Sequence, residues 1–148
     1  MPNPGRAVHR SPTVALLLGL VLTLAVFLLP LATLLPLLDP DEGLHAAISR
    51  EMAERGDWVT PRLLGEPFLD KPILFFWGQA AAIRVLGAGE VAVRLPGALL
   101  GLFGALATGW LARLMHGARR GHLAMACYAT MLLPLALAQA PVHDVALV

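Results

Sequence analysis

The 26 consecutive positions Thr13–Leu38 are predominantly apolar and carry no charge. As a helix rising about 1.5 Å per residue, this run is about 39 Å long, enough to cross a ~30 Å hydrocarbon core with tilt. A second uninterrupted run begins after Arg94 and ends at Arg113, and a third follows the basic stretch Arg119–His122. Between the first and second runs the pattern changes. Leu44, Ile48 and Met52 recur at i, i+4, i+8, which predicts a helix over 42–55, ended by Gly56 and lying on the membrane surface. Glu51 and Arg55 fall near that apolar stripe and spoil it. The apolar segment 71–86 predicts another helix, with Asp70 as its N-cap, Pro72 in its first turn and Gly87 at its end. At 16 residues, about 24 Å, it is short for a crossing and carries Arg84, so it reads as interfacial.

A secretory signal is the alternative reading of the first run, since Arg6 and Arg10 precede it. The run is far longer than a 7–15-residue signal core, and Leu37-Leu38-Asp39-Pro40 lacks a small-x-small cleavage site. Charge sets orientation. Residues 1–38 hold two arginines and no acid, and Arg113, Arg119 and Arg120 stand together without an acid. Both stretches belong on the cytoplasmic side. The segment 39–94 holds nine of the ten acids against six bases and belongs outside. The predicted layout is a cytoplasmic N-terminus over 1–12, spans over 13–38, 95–114 and 122–142, an outer loop over 39–94, a cytoplasmic turn over 115–121, and a second outer loop beginning at 143.

Composition agrees. Of 148 residues, 57% are hydrophobic and 14% charged, against about 45–50% and 25% in soluble domains. Disorder requires the opposite balance. One cysteine excludes an intrachain disulfide framework; Cys127, inside the third run, reads as a packing residue. A net charge of +1 without a basic stripe excludes a nucleic-acid partner. Gly97, Gly101, Gly104, Ala105 and Gly109 either form a small surface for close helix packing or reflect the frequency of glycine in membrane helices. Trp58, Trp77 and Trp110 fit interfacial belts.

The 56-residue outer loop is too long to be a mere connection. It carries Asp41-Glu42, then Gly56-Asp57-Trp58-Val59-Thr60-Pro61-Arg62, then Asp70-Lys71-Pro72-Ile73-Leu74, and Arg94-Leu95-Pro96 opens the second run. These ordered blocks resemble the first periplasmic loop of the bacterial membrane glycosyltransferases that include the aminoarabinose transferases of lipid A and the protein O-mannosyltransferases. Asp144 matches the acid that opens the family's second outer loop. Two positions depart from the pattern. Leu44 and His45 stand where relatives usually carry an arginine or other polar residue and then an aromatic, and Ile73 replaces a second proline.

The resemblance implies an all-α membrane protein, the N-terminal part of a GT-C-type multi-span helical bundle with interfacial helices in its first outer loop. It implies transfer of a sugar from a polyprenyl-phosphate donor to a lipid, lipid A-like, or protein acceptor at the outer face of a bacterial inner membrane. Relatives are longer, so the chain is expected to be the N-terminal piece of a longer protein. A non-catalytic scaffold or assembly subunit is the alternative; the ordered blocks favour the enzyme.

A carboxylate at the membrane edge suits a general base. Asp41, three residues past the first run, can serve so or can N-cap the following helix. Glu42 and Asp144 complete the candidate catalytic set; Asp144 can equally be a solvated loop residue. The leaving phosphate calls for a cation. Lys71 is the first candidate, with a snorkelling lysine as its alternative. Arg62 assists or pairs with Glu66, and the family's arginine is either lacking here or replaced by His45. Glu42 and Asp70, with His45 or His143, offer donors for a divalent cation. Spacing alone assigns no ligand, so no metal site and no certain cofactor is predicted.

Overall fold

The computed structural model describes residues 12–32 and 41–139. Six helices and one hairpin make up the described fold: α1 (Pro12–Leu28), α2 (Asp41–Arg55), β1 (Arg62–Leu63), β2 (Glu66–Pro67), α3 (Ile73–Leu86), α4 (Glu90–His116), α5 (Ala118–Thr130) and α6 (Leu132–Gln139). The chain is an all-α protein apart from that short hairpin.

Helix α1 ends at Leu28 and tightens into a 3-10 turn over Leu29–Ala32. Pro30 lies in that turn, consistent with its missing N–H. Pro36 lies outside the described residues.

Helix α4 is the centre of the bundle and packs against α1, α3, α5 and α6. It is longer than the predicted 95–114 span, and at 27 residues it is long and apolar enough to cross a membrane. Its small residues form a packing surface, as the first of the two glycine readings required. Gly97, Gly101, Ala105 and Gly109, spaced four apart, are all buried. A Cβ on Gly101 would lie 2.6 Å from the Ala138 Cβ and 2.7 Å from the Phe27 ring. The core built around this stripe joins Phe27, Phe75, Ala105, Met125, Ala129 and Ala138.

The predicted turn over 115–121 is a correction. Only Gly117 is non-helical, with φ +87° and its N–H bonded to the Arg113 carbonyl. Glycine accepts that left-handed φ without a Cβ penalty. The segment predicted as the third span, 122–142, is bent in its described part: α5 and α6 meet at Met131 at 63° and are together apolar enough for one broken span. Pro134 explains the break. Its ring would collide with the carbonyl four residues back, that of Thr130, and it has no N–H to donate there. Cys127 is exposed on the outside of the bundle, not packed within it.

The amphipathic stripe of α2 does not face outward. Ile48 and Met52 are buried against Phe76 and Ala80 of α3. The expectation of a helix resting its apolar side on the membrane is therefore overturned; α3 takes that side instead. Glu51, which seemed misplaced on the stripe, accepts the Gly65 N–H at 3.0 Å and pairs with Arg55 at 2.8 Å. The glycine and proline of Leu64-Gly65-Glu66-Pro67 mark a turn in the sequence; the strand pairing around it, which this carboxylate braces, is not marked there. Leu64 and Gly65 form its tip with φ of +54° and +88°, the two left-handed residues a tight two-residue hairpin needs.

Candidate outer-loop active site

Helix α3 begins at Ile73, with Pro72 as its N-cap residue and no side-chain cap. Asp70 therefore does not cap it, and Lys71 precedes the helix. The Lys71 ammonium stands 3.8 Å from the Asp70 carboxylate and is about one-third exposed. Gly87 ends α3 as expected, donating to Ile83.

Three helices are fastened by polar groups inside the loop unit. Ser49 of α2 donates to the Gln79 side-chain carbonyl at 2.7 Å, and the Gln79 amide donates to the Val93 carbonyl of α4 at 3.0 Å. Ser49 and Gln79 are fully buried. In such surroundings an unsatisfied amide costs about 1–3 kcal/mol, so the relay holds α2, α3 and α4 in one register. Gln79 was the available signal: it is the one amide side chain in an otherwise apolar helix face.

The second fastening joins Glu42 to Arg94, 52 residues apart. The Arg94 Nη2 lies 3.2 Å from Glu42 Oε2, and the two side chains are 11% and 10% exposed. Glu42 sits in the first turn of α2 beside Asp41, whose backbone opens that helix; the Asp41 side chain lies outside the described residues. The His45 ring is turned inward and tilts against Phe76 at 5.7 Å between centroids. That position gives it an interior packing neighbour, not an exposed place beside Lys71.

The Gly56–Arg62 block folds around Asp57. Its carboxylate accepts the N–H groups of Val59 and Thr60 at 3.1 Å each. These two backbone donors hold the Asp57 carboxyl below the usual carboxylate range. Arg62 lies 3.8 Å from Asp57 and donates to the Gly65 carbonyl at 3.0 Å, so the expected alternative partner Glu66 is replaced by these two. The Trp77 indole donates to the Trp58 carbonyl at 2.6 Å, and the Arg84 guanidinium lies 6.0 Å above the Trp58 ring. The tryptophans thus tie the block to α3.

Glu42 and Arg94 come together; Lys71 and Arg62 each stand in a separate grouping with their own acid. Asp144 and His143 lie outside the described residues. Among the described residues, no three of His, Cys, Asp and Glu gather to hold a metal ion. An apolar groove of about 430 Å³ runs between α3 and α4, lined by Leu74, Phe75, Trp77, Gly78, Pro96 and Leu100. It begins three residues after Lys71, and its lining has the chemistry for hydrocarbon.

Comparison with known proteins bears on this arrangement. The family described as dolichyl-phosphate-mannose-protein mannosyltransferase matches residues 70–148. The undecaprenyl phosphate-alpha-4-amino-4-deoxy-L-arabinose arabinosyl transferase of Yersinia enterocolitica is 39% identical over 131 residues, 88% of this chain and 23% of the relative. The protein of the same name from Edwardsiella ictaluri is 38% identical over 114 residues, 76% of this chain and 20% of the relative. The crystal structure of ArnT from Cupriavidus metallidurans in the apo state superposes with a TM-score of 0.80 at 33% identity, covering 91% of this chain and 25% of that one. The same protein bound to undecaprenyl phosphate gives a TM-score of 0.79, with 93% and 25% covered. The chain therefore spans between a fifth and a quarter of the length of these relatives. It belongs to the GT-C membrane glycosyltransferase family that includes the protein mannosyltransferases and the aminoarabinose transferases.

Proposed function

We propose that the complete protein transfers a sugar, an aminoarabinose-like pentose by its similarity to the arabinosyl transferases, from a polyprenyl phosphate to a lipid A-like acceptor at the outer face of a bacterial inner membrane. The observation that carries this reading is the fold of the 39–94 loop. All three motif blocks fall in one unit fastened to α4, in a chain that superposes on a protein bound to undecaprenyl phosphate. The apolar groove beside α3 supports a lipid-borne donor.

In the proposed reaction an acceptor oxygen forms a bond to the anomeric carbon from the face opposite the carrier. The bond between that carbon and the carrier phosphate breaks, and the electron pair leaves with the phosphate. Lys71 neutralises the charge that develops there, where low dielectric strengthens a cation. Arg62 lies on the same outer loop and adds positive potential. His45, packed on Phe76, is better suited to shaping the α2–α3 interior than to touching phosphate. Asp41 takes the proton of a hydroxyl acceptor or, for an acceptor already deprotonated, orients its counter-charge. Asp144 is proposed as the second carboxylate of the site. The N-terminus and the Arg113–Arg120 turn face the cytoplasm in this reading, with α1, α4 and the α5–α6 pair as spans.

The test is Asp41→Asn against Asp41→Ala in the full-length protein. Asparagine keeps size and capping ability but cannot accept a proton. Strong loss of turnover in both variants, with insertion intact, is expected. Near-normal turnover in Asp41→Asn, with loss only in Asp41→Ala, would make Asp41 a helix cap and remove it from the mechanism.

A further inference from the structure

The far end of α4 holds a different grouping, and the reaction has no use for it. Arg113 and His116 lie in the last turn of α4, and Arg119, Arg120 and His122 lie in the first turns of α5. From Val91 to His143 the sequence contains no acid. Among the described residues, none of the ion pairs includes Arg113, Arg119 or Arg120. Among the described residues, three guanidiniums at one end of a helical hairpin are therefore without a carboxylate partner.

The helices close tightly there. A Cβ on Gly121 would lie 2.7 Å from both the Gly109 carbonyl oxygen and the Arg113 Cβ. This leaves a cleft of about 170 Å³ lined by Leu106, Trp110, Arg113, Gly121, His122 and Met125. From the cleft back toward the start of α4 the exposed surface is apolar: Trp110 is 65% exposed, Leu106 39% and Phe103 70%. Cations, a tryptophan and then open hydrocarbon follow one another along the helix, as headgroup, interface and acyl chains do in a leaflet.

We propose that this cleft binds the headgroup phosphate of an anionic phospholipid, with the acyl chains lying along the exposed face of α4. A soluble anion would use the guanidiniums but has no use for the apolar rim. A nucleic acid would need a basic stripe longer than one hairpin end. The site rests on the proposed reading only in that α4 and α5 lie in a membrane; it does not depend on the transfer reaction.

The test uses the full-length protein in nanodiscs of phosphatidylcholine with or without phosphatidylglycerol, with bound lipid counted by native mass spectrometry. The wild type should retain phosphatidylglycerol in preference to phosphatidylcholine. A basic side chain near an anionic surface changes binding by roughly fivefold, so Arg113→Gln/Arg119→Gln/Arg120→Gln should lose on the order of a hundredfold in that preference. The triple lysine variant should keep most of it, which separates charge from misfolding. Arg50→Gln, at an exposed ion pair on α2, should change nothing. Unchanged preference in the triple glutamine variant overturns the proposal. Full competition by millimolar inorganic phosphate also overturns it, in favour of a small-anion site. A cysteine at Ala118, after Cys127→Ser, reports the side of the membrane by impermeant maleimide. Labelling from outside with lipid preference intact would sink the orientation proposed for the enzyme while keeping the lipid site.

Discussion

The Glu42–Arg94 pair makes the sharpest demand on the fold. Both side chains are about nine-tenths buried and meet at 3.2 Å. At an effective dielectric near 20, two unit charges so close attract by about 5 kcal/mol, against a desolvation cost of several kcal/mol for each ion. The net worth of the pair is therefore small, but the cost of breaking it is not. Glu42→Gln or Arg94→Gln alone removes one of the two charges of this buried pair and should destabilise by about 3–5 kcal/mol. The double variant removes both charges and should lose less than the sum, by a coupling of about 1–3 kcal/mol. Both residues have further interactions besides this pair, so the double variant will not return fully to wild-type stability. Equilibrium unfolding in mixed micelles, read by tryptophan fluorescence, measures all four corners of the cycle. Trp58 and Trp77 lie in the same loop unit and report its opening. Additive losses, with coupling under about 0.5 kcal/mol, would refute the argument and return Glu42 to the pool of free catalytic carboxylates.

Other expectations follow from the same geometry. Lys71→Gln should weaken donor binding or slow single-turnover transfer by about ten- to hundredfold, the worth of a charge-assisted hydrogen bond, and Lys71→Arg should recover part of it. Losses under about threefold, equal to those of Arg62→Gln, would leave Lys71 as a headgroup anchor. The Asp57 carboxyl is held low by the Thr60 and Val59 N–H groups. Its contribution is present above the unfolded carboxylate range near 3.8 and is lost as pH falls through the lower folded value. Hydrogen exchange at the Val59 and Thr60 amides should therefore accelerate only in that acid window, and constant protection down to pH 2 would contradict it. Gly101→Val should destabilise by about 1–3 kcal/mol, because its first carbon already meets Ala138 and Phe27; an unchanged unfolding midpoint would show that α4 can move away freely.

Local features were legible in the sequence and pairings were not. The boundaries of α2, the end of α3 at Gly87 and the small face of α4 follow from spacing and glycine placement, and they appear where spacing puts them. The apolar stripe of α2 was read correctly as a stripe and wrongly as a membrane face, since periodicity says that a side is buried but not against what. The glycine and proline of Leu64-Gly65-Glu66-Pro67 mark the turn in the sequence, but the pairing of its flanking residues does not show there, because the tip is held by Glu51, fourteen residues earlier. Pro134 could have been read as a helix breaker, yet an uninterrupted apolar run hid it.

Arg94 was noticed for its place in a motif, and its burial depends on a partner 52 residues away that no local pattern reveals. Helix α4 explains why that arginine must be paired while its counterparts at the other end need not be. Arg94 and Arg113 are 19 positions apart on one continuous helix, about 28 Å along the axis and close to the ~30 Å thickness of a hydrocarbon core. Under the proposed orientation each guanidinium sits near one face of the membrane. At the outer face α2 and α3 cover the helix, so Arg94 is cut off from water and must be neutralised by the protein, and Glu42 supplies that charge. At the other end, among the described residues, Arg113 lines an open cleft with Gly121 and His122 of α5 and no carboxylate pairs with it, so under the proposed orientation the membrane supplies the anion. One apolar helix thus needs a carboxylate at one end and not at the other, in keeping with the absence of any acid from Val91 to His143.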